Sequence, residues 1–357
     1  MKKVVTLLLA AVMVLGMAFT AFAEEGVAAA GEVDIDSIEP ITIIATSTRG
    51  EQIETAYIAF LERVKERSGG KIDYEFYGSG SLVSAQETVD ALLDGRCDIA
   101  NINIANFENL FPMTANVVSI PFMGMTRAGA EVFGEVCDKF PSLLEKEITG
   151  NGLHLLSYNM TPAVNLHINA SGEVRTPADI AGKKIIGMSA MMLKIIEAYG
   201  AAPLQVAFPD CYQSLQGGVA DGIFQNGGPV ATMGLYEVAK QSVIFQENGG
   251  IYFDVSIHCV SEDFWNSLSP AAQLILTEEG MTLHKEEQEV RFGDMDLFDK
   301  VVGESPDNTI VTLTPEEVAV WKEAAQPVID AKIEEIAAMP NCEEFKDAYE
   351  YALSIMK

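Results

Sequence analysis

The stretch from residue 176 to residue 222 constrains the fold more than any other part of the sequence. Thr176 precedes Pro177 and Asp179, which suits a helix start because threonine caps, proline fits the first position and a negative charge is favoured near the amino end. The apolar run 185–188 predicts a buried strand. Two helical faces follow, one with Met192, Ile195, Ile196 and Tyr199 closed by Gly200, and one with Cys211, Leu215 and Val219. This alternation predicts an α/β unit with a parallel sheet and ligands at strand ends.

The first residues have the layout of a secretory signal peptide. Two lysines precede an apolar stretch from Val4 to Phe19, and Ala21-Phe22-Ala23 offers the small residues of a cleavage site. A membrane anchor would need about 20 apolar residues and a basic flank, but two glutamates follow. No cysteine follows the apolar run, so we do not expect a lipid anchor. We predict that Met1–Ala23 is removed on export to the periplasm, and that residues 24–40 form a mobile acidic leader.

The mature chain is expected to be strongly acidic. Two of the 23 basic residues lie in the signal peptide, which leaves 21 against 52 acidic residues and a net charge of −31. Such a chain is a poor partner for nucleic acid or for an anionic membrane surface. A solubilising surface explains the charge most simply, but the scarcity of basic residues makes any arginine near a ligand informative.

The cysteines and histidines indicate no metal or cofactor. The five cysteines are odd in number and widely spaced, which favours neither a disulfide framework nor a zinc site, although one disulfide stays open. The histidines lack metal-ligand spacing, and three of them lie in β segments, where a structural role is favoured. These residues are Cys97, Cys137, Cys211, Cys259, Cys342, His154, His167, His258 and His284.

About 330 residues remain after the signal peptide, enough for two domains with real cores. Met160–Ala163 lies between two predicted strands and is interpreted as a crossing between domains, and the β-rich segment 251–260 as a strand that returns to the first domain. Helices are predicted to begin at Ser269-Pro270 and at the capping box Thr314-Pro315-Glu316-Glu317, the second with a kink at Pro327. We assign domain I to residues 41–161 plus 250–290, and domain II with the bracing helices to residues 162–249 plus 291–357.

Six phrases along the chain form an ordered set. They are Glu66-Arg-Ser-Gly-Gly70, Arg175-Thr-Pro-Ala-Asp179, Gly182-Lys-Lys-Ile185, Phe208…Tyr212…Leu215-Gln216…Gly218-Val-Ala-Asp-Gly222, Leu235-Tyr-Glu-Val-Ala-Lys240 and Ser261-Glu-Asp-Phe-Trp-Asn-Ser-Leu-Ser-Pro270. In this order the chain resembles the solute-binding proteins of tripartite ATP-independent periplasmic (TRAP) transporters, of the dicarboxylate-receptor type. Each phrase alone is weak, but the ordered set is specific and spans nearly the whole mature chain.

The resemblance implies a two-domain α/β fold with a ligand cleft between the domains and a long C-terminal helix that braces both. It implies a receptor that binds a small organic acid and delivers it to the membrane subunits of a TRAP transporter, which an ion gradient drives. It implies no enzyme activity and no cofactor, and we expect a monomer.

The chain departs from the family at the carboxylate clamp. Relatives hold the acid with an arginine in the strand after Gly-Lys-Lys-Ile, and often carry a second one in the strand that enters domain II. The matching positions here are Ile186 and Asn165. A guanidinium offers two parallel hydrogen bonds to a carboxylate, which isoleucine cannot replace. We therefore predict a monocarboxylate or a neutral, aromatic solute rather than the usual dicarboxylate.

Arg49 is the candidate substitute for the missing clamp. It lies with Ser47 in the loop after the first strand, where relatives reach the cleft, and its competing interpretation is a solvated loop arginine. The other predicted ligand-binding residues are the amide side chains Asn103, Asn165, Gln225 and Asn226, the motif position Ile186, and Phe208 as a stacking face or a core residue.

Two other functions stay open. A sensory receptor would bind the same kind of solute but dock on a signalling protein. An exported hydrolase would need a nucleophile, and Gly187-Met-Ser189-Ala-Met191 resembles half of a nucleophile elbow without its second glycine. A strand-to-helix turn explains that phrase more simply, and no carboxylate pair is marked out as acid and base. The sequence gives no positive case for an enzyme.

Overall fold

The computed structural model describes residues 33–49, 51–123, 129–245 and 250–356. The predicted signal peptide and most of the predicted leader lie outside these residues. By its internal contacts the chain divides into two compact units. Unit 1 comprises Met1–Thr114, Ala130–Asn159 and Ser256–Glu287, and unit 2 comprises Ala115–Gly129, Met160–Val255 and Gln288–Lys357. In this division Ala115–Gly129 belongs to unit 2, whereas the predicted domain I includes it.

Unit 1 is built on a five-stranded mixed sheet. Its strands are β1 (Ile41–Thr46), β2 (Ile72–Tyr77), β3 (Ile99–Asn103), β4 (Leu153–Met160) and β10 (Val255–Ser261), in the order β2-β1-β3-β10-β4. Strand β1 pairs in parallel with β2 and β3, and β10 pairs antiparallel with β3. The β-rich segment predicted at 251–260 therefore supplies a strand of this sheet.

Helices cover the unit 1 sheet. They are α1 (Glu51–Arg67), α2 (Thr88–Leu93), α3 (Gly129–Lys139), α4 (Ser142–Glu147), α8 (Glu262–Ser267) and the first part of α9 (Pro270–Gly303). The apolar face of α1, with Tyr57, Phe60, Leu61 and Val64, is buried against the sheet and α9. Ile38 is buried in the same cluster. Within the predicted leader, Ile38 and the partly buried Val33 therefore contact the core of unit 1.

Unit 2 is built on a six-stranded sheet. Its strands are β5 (Asn165–Ile168), β6 (Lys184–Ile186), β7 (Ala202–Leu204), β8 (Gly222–Gln225), β9 (Gln241–Ile244) and β11 (Thr309–Thr312), in the order β11-β9-β5-β8-β6-β7. Strand β6 pairs in parallel with β7 and β8, as the stretch 176–222 predicts, whereas β5 is antiparallel to both β8 and β9.

The unit 2 helices refine the predicted boundaries. They are α5 (Ala190–Ala198), α6 (Cys211–Gln216), α7 (Gly227–Thr232), the rest of α9, α10 (Pro315–Ala337) and α11 (Phe345–Ile355). Thr176 begins a 3-10 helix, Pro177–Ile180, rather than an α-helix. Helix α6 ends at Gln216, so Val219 is exposed and not on its apolar face. The Thr314 capping box is confirmed, and α10 runs through Pro327.

Helix α9 is the longest element, with 34 residues. Its residues up to Glu287 belong to unit 1 and its residues from Gln288 to unit 2. In unit 1, Arg63 and Arg67 of α1 both bind Glu279 of α9, at 2.6 and 2.8 Å. None of the helices in the described ranges combines the length and apolar character that crossing a bilayer requires.

Candidate functional site

The carboxyl ends of β1 and β3 form a switch point in the unit 1 sheet. The chain leaves β1 toward β2 on one side and returns to β3 on the other, so the loops after β1 and β3 diverge, and such crevices bind ligands in open α/β sheets. Ser47 and Arg49 follow β1, and Asn103 ends β3. Three of the predicted site residues therefore meet at this edge.

Arg49 is held in place by two side chains of unit 1. Its Nε donates to Asn101 Oδ1 at 3.1 Å, and its guanidinium also donates to Ser256 Oγ. The residue is half-buried, and its backbone N–H donates to Ser47 Oγ at 3.0 Å. Arg49 is thus not the solvated loop arginine of the competing interpretation, because these contacts fix the plane of its guanidinium.

Asn103 has a local structural contact. Its Oδ1 accepts a hydrogen bond from Ala105 N at 3.1 Å and so caps the 3-10 helix Ile104–Phe107. Asn101, two residues earlier, contacts Arg49 instead, although it was not among the predicted site residues. The strand alternation puts Asn101 and Asn103 on the same face, which is the one sequence signal that could have found it.

Unit 2 brings together three further predicted residues. Asn165 begins β5 and lies opposite Gln225, the last residue of β8, and Asn226 begins the turn into α7. Gln225 Oε1 accepts from Asn226 N at 2.8 Å, and Asn165 Oδ1 accepts from Phe245 N at 3.0 Å. The amide groups therefore cluster where β8 ends, at the switch point of the parallel strands β7-β6-β8.

The other two predicted residues of unit 2 have opposite surroundings. Ile186 is completely buried in an apolar cluster with Ile223 and Phe298, so its side chain offers no surface to a solute in this structure. Phe208 is 43% exposed at the start of the 3-10 helix Phe208–Asp210. It is therefore not a core residue, which was the alternative open from the sequence.

A cavity of about 200 Å³ lies beside Asn165 in unit 2. Its lining includes the apolar side chains Ile244 and Phe298 and the polar side chains His167 and Asp299, and among the described residues that line it there is no lysine or arginine. Burial lowers the pKa of His167 to about 4, so this imidazole is neutral at pH 7. The described lining suits an uncharged or apolar group better than an anion.

The candidate nucleophile has a structural contact. Ser189 caps α5, with its Oγ accepting from Met192 N at 3.2 Å. All five cysteines are free and buried, which answers the open disulfide, and burial raises the pKa of the Cys97 thiol to about 12. Within the described residues no group of histidine, cysteine and carboxylate side chains is arranged to hold a metal ion.

The comparisons with known proteins decide the family. The model of the bacterial extracellular solute-binding proteins, family 7, matches residues 45–335. This chain belongs to that family. It is 28% identical over 296 residues to the C4-dicarboxylate-binding periplasmic protein of Rhodobacter capsulatus, covering 78% of this chain and 82% of the relative. It is 25% identical over 283 residues to the ectoine-binding periplasmic protein of Halomonas elongata, covering 77% and 79%.

A solved structure supports the fold. An extracytoplasmic solute receptor of Bordetella pertussis that binds pyroglutamic acid superposes with a TM-score of 0.75 at 20% identity, covering 87% of this chain and 99% of that one. The resemblance to TRAP solute-binding proteins is therefore confirmed, as is the two-part α/β fold with a long helix. Members of this family are extracytoplasmic receptors that bind small solutes and work with membrane permease subunits.

Proposed function

We propose that this TRAP receptor binds a small solute with a single carboxylate, which Arg49 contacts, and delivers it to the membrane subunits for uptake. The observation that carries the proposal is the position of Arg49, half-buried at the switch point of the unit 1 sheet and fixed by Asn101 and Ser256. A guanidinium carries five N–H donors in one plane, so it can hold protein partners and a carboxylate together.

Unit 2 favours one carboxylate over two. Where relatives carry arginines, this chain has the buried Ile186 and the amide Asn165, which binds a backbone N–H. In the cavity beside Asn165, a second carboxylate would meet Asp299 and the neutral His167. Like charges at such a site disfavour binding.

The ligands of the relatives do not identify the solute of this protein. Their names include a C4-dicarboxylate, ectoine and pyroglutamic acid, which differ in charge and shape. A second candidate, a neutral and flat solute, is favoured by the exposure of Phe208, because an aromatic ring can stack on a planar group. A sensory receptor would use the same solute site and would differ only in its partner, a signalling protein in place of the membrane permease.

A thermal-shift panel on the purified mature protein tests the proposal. Pyroglutamate, ectoine, succinate and D-glucuronate are each titrated, because a solute that binds only the native state raises the melting temperature. We expect a monocarboxylate to give the largest shift, and Arg49→Ala to remove it. Arg96→Ala, an exposed arginine of unit 1, is the matched control and should keep the shift.

The panel also separates the alternatives. Ectoine has no net charge but carries one carboxylate, so the two variants decide its outcome: if ectoine gives the largest shift and Phe208→Ala weakens it more than Arg49→Ala does, stacking holds the solute and the role of Arg49 is wrong. Tight binding of succinate that survives Arg49→Ala would contradict both the single carboxylate and its proposed contact.

A further inference from the structure

Arg49 is the outer end of a series of polar side chains in unit 1. Asn101, which accepts from Arg49, also contacts His258: its Nδ2 lies 3.1 Å from His258 Nε2. His258 Nε2 lies 3.4 Å from Glu287 Oε1, and the other oxygen of Glu287 accepts a hydrogen bond from Asn159 Nδ2. We call this series the polar network, comprising Arg49, Asn101, Ser256, His258, Glu287 and Asn159.

The polar network is buried apart from its outer end. Asn101 is 1% exposed, and Ser256, His258, Glu287 and Asn159 are 0% exposed. Buried carboxylate, imidazole and amide groups are costly unless they bond to one another. Removing one member takes a contact away from the next at a buried site, so we expect the network to respond as a unit.

The hydrogen bonds of the polar network set a direction. Because Arg49 Nε–H donates to Asn101 Oδ1, the amide group of Asn101 turns its N–H toward His258 Nε2, which must then act as the acceptor. Glu287 Oε1 lies 3.4 Å from the same nitrogen, so the group at this position of Glu287 determines whether Nε2 stays available to Asn101: a donor placed there would compete for its lone pair. Reversing the Asn101 amide would place donor against donor at Arg49. The ring of Tyr57 packs edge-on against the His258 ring at 4.6 Å, which holds the imidazole from the side of α1. The orientation of the guanidinium therefore depends on His258.

Three members of the polar network lie where the polypeptide enters or leaves unit 1. Asn159 is the last residue before the chain passes to unit 2, Ser256 is the first after it returns, and Glu287 is the last on α9. The hydrogen bond between Asn159 and Glu287 joins two of these points, and Ser256 binds Arg49 directly.

We propose that His258 and Glu287 are positioning residues that orient Arg49 through Asn101, and that the polar network ties Arg49 to these three crossing points. Its use in solute binding rests on the proposed function, since Arg49 is the residue proposed to contact the solute. The orientation of Arg49 itself is a property of the protein without solute and can be measured alone.

The test follows the Arg49 Nε–H signal in proton–nitrogen NMR spectra of the solute-free protein. The signal is assigned by its loss in Arg49→Ala, and its exchange with water is measured in wild type and in Glu287→Gln. We expect exchange to be about fivefold faster or more in Glu287→Gln, as for the loss of one net hydrogen bond. The matched control is Glu147→Gln, a buried carboxylate of unit 1 that binds Met113 N and Thr114 N and lies outside the network.

The outcomes are distinct from those of the solute panel. Faster exchange in Glu287→Gln with no change in Glu147→Gln supports positioning, whereas equal exchange in all three proteins overturns it. If Glu287→Gln does not fold, Asn159→Ala removes the far end of the network and decides in the same way. If Glu287→Gln speeds the exchange as expected but Arg49→Ala does not weaken solute binding, the proposed function is wrong and the positioning of Arg49 by the network still stands.

Discussion

At the scale of single residues, His167 illustrates how burial determines the chemistry of a side chain in this protein. The residue is 1% exposed, its Nδ1 lies 2.9 Å from Ser242 Oγ, and its Nε2 lies 3.1 Å from the Gln225 carbonyl oxygen. Burial lowers its pKa to about 4. The sequence predicts a satisfied structural histidine here, and these contacts bear that out.

His167 should make stability depend on pH. Its pKa is about 4 in the folded protein and near 6.5 in the unfolded chain, so the unfolded state binds more protons between these values. The stabilisation is complete above about pH 6.5 and is lost as pH falls toward 4, by roughly 2–4 kcal/mol. Urea unfolding at several pH values should therefore show a smaller loss in His167→Gln than in wild type. Parallel curves for the two proteins would contradict this.

The site residues were predictable where their signal was local. Arg49, Ser47 and Asn103 follow predicted strands, so the general rule for ligands at strand ends selects them. The partners of Arg49 were not predictable, because Asn101 and Ser256 lie 52 and 207 positions away in the sequence. The alternation along β3 puts Asn101 on the same face as Asn103, but it does not say which distant side chain Asn101 contacts.

At the scale of elements, local chemistry predicted helix starts better than helix lengths. The capping box at Thr314 begins α10, where Thr314 N donates to Glu317 at 2.8 Å. Helix α9 begins at Pro270 as predicted, but its extent to Gly303 was not foreseen. Its two parts belong to different units, so no single apolar stripe runs along it to give a periodic signal.

Two glycines of α9 should respond oppositely to alanine. A Cβ on Gly280 would collide with the carbonyl oxygen of Leu156 in β4, whereas a Cβ on Gly293 would meet no atom within 4 Å. We expect Gly280→Ala to lower the free energy of unfolding by about 1–3 kcal/mol, the usual cost of overpacking. Gly293→Ala should raise it by about 0.5–1 kcal/mol, since alanine favours helix. Denaturant titration measures both, and a stabilised Gly280→Ala would refute the close packing.

At the scale of the whole molecule, the sequence predicted two α/β parts but not every segment of each. Residues 115–123 group with unit 2 through contacts with segments distant in sequence, such as Phe122 N with Ile251 O at 2.7 Å. From the sequence we also interpret Glu247–Ile251 as a second crossing; in the structure Ile251 N donates to Val164 O at 2.7 Å, next to the first crossing, Met160–Ala163. Residues 247–249 of this second crossing lie outside the described residues.

We predict that solute binding closes the molecule about these crossings. Linkers between domains absorb the rotation in hinge closure, and the pairing of Thr161 with Asp254 joins the two segments that would move together. X-ray scattering should give a smaller radius of gyration with the acid of largest thermal shift than without it. Arg49→Ala at the same concentration is the control and should keep the larger radius. An unchanged radius in saturated wild type would refute closure.

The central claim is that Arg49 binds a single carboxylate of the solute. Calorimetry with an acid and its uncharged amide tests this claim most directly. The acid of largest thermal shift and its primary amide are titrated into wild type and into Arg49→Ala. Losing one charged contact in a buried site costs about 2–5 kcal/mol, so wild type should bind the amide more than tenfold more weakly than the acid. Arg49→Ala should bind the two about equally. If Arg49→Ala prefers the acid as strongly as wild type does, Arg49 does not bind the carboxylate and the account is wrong.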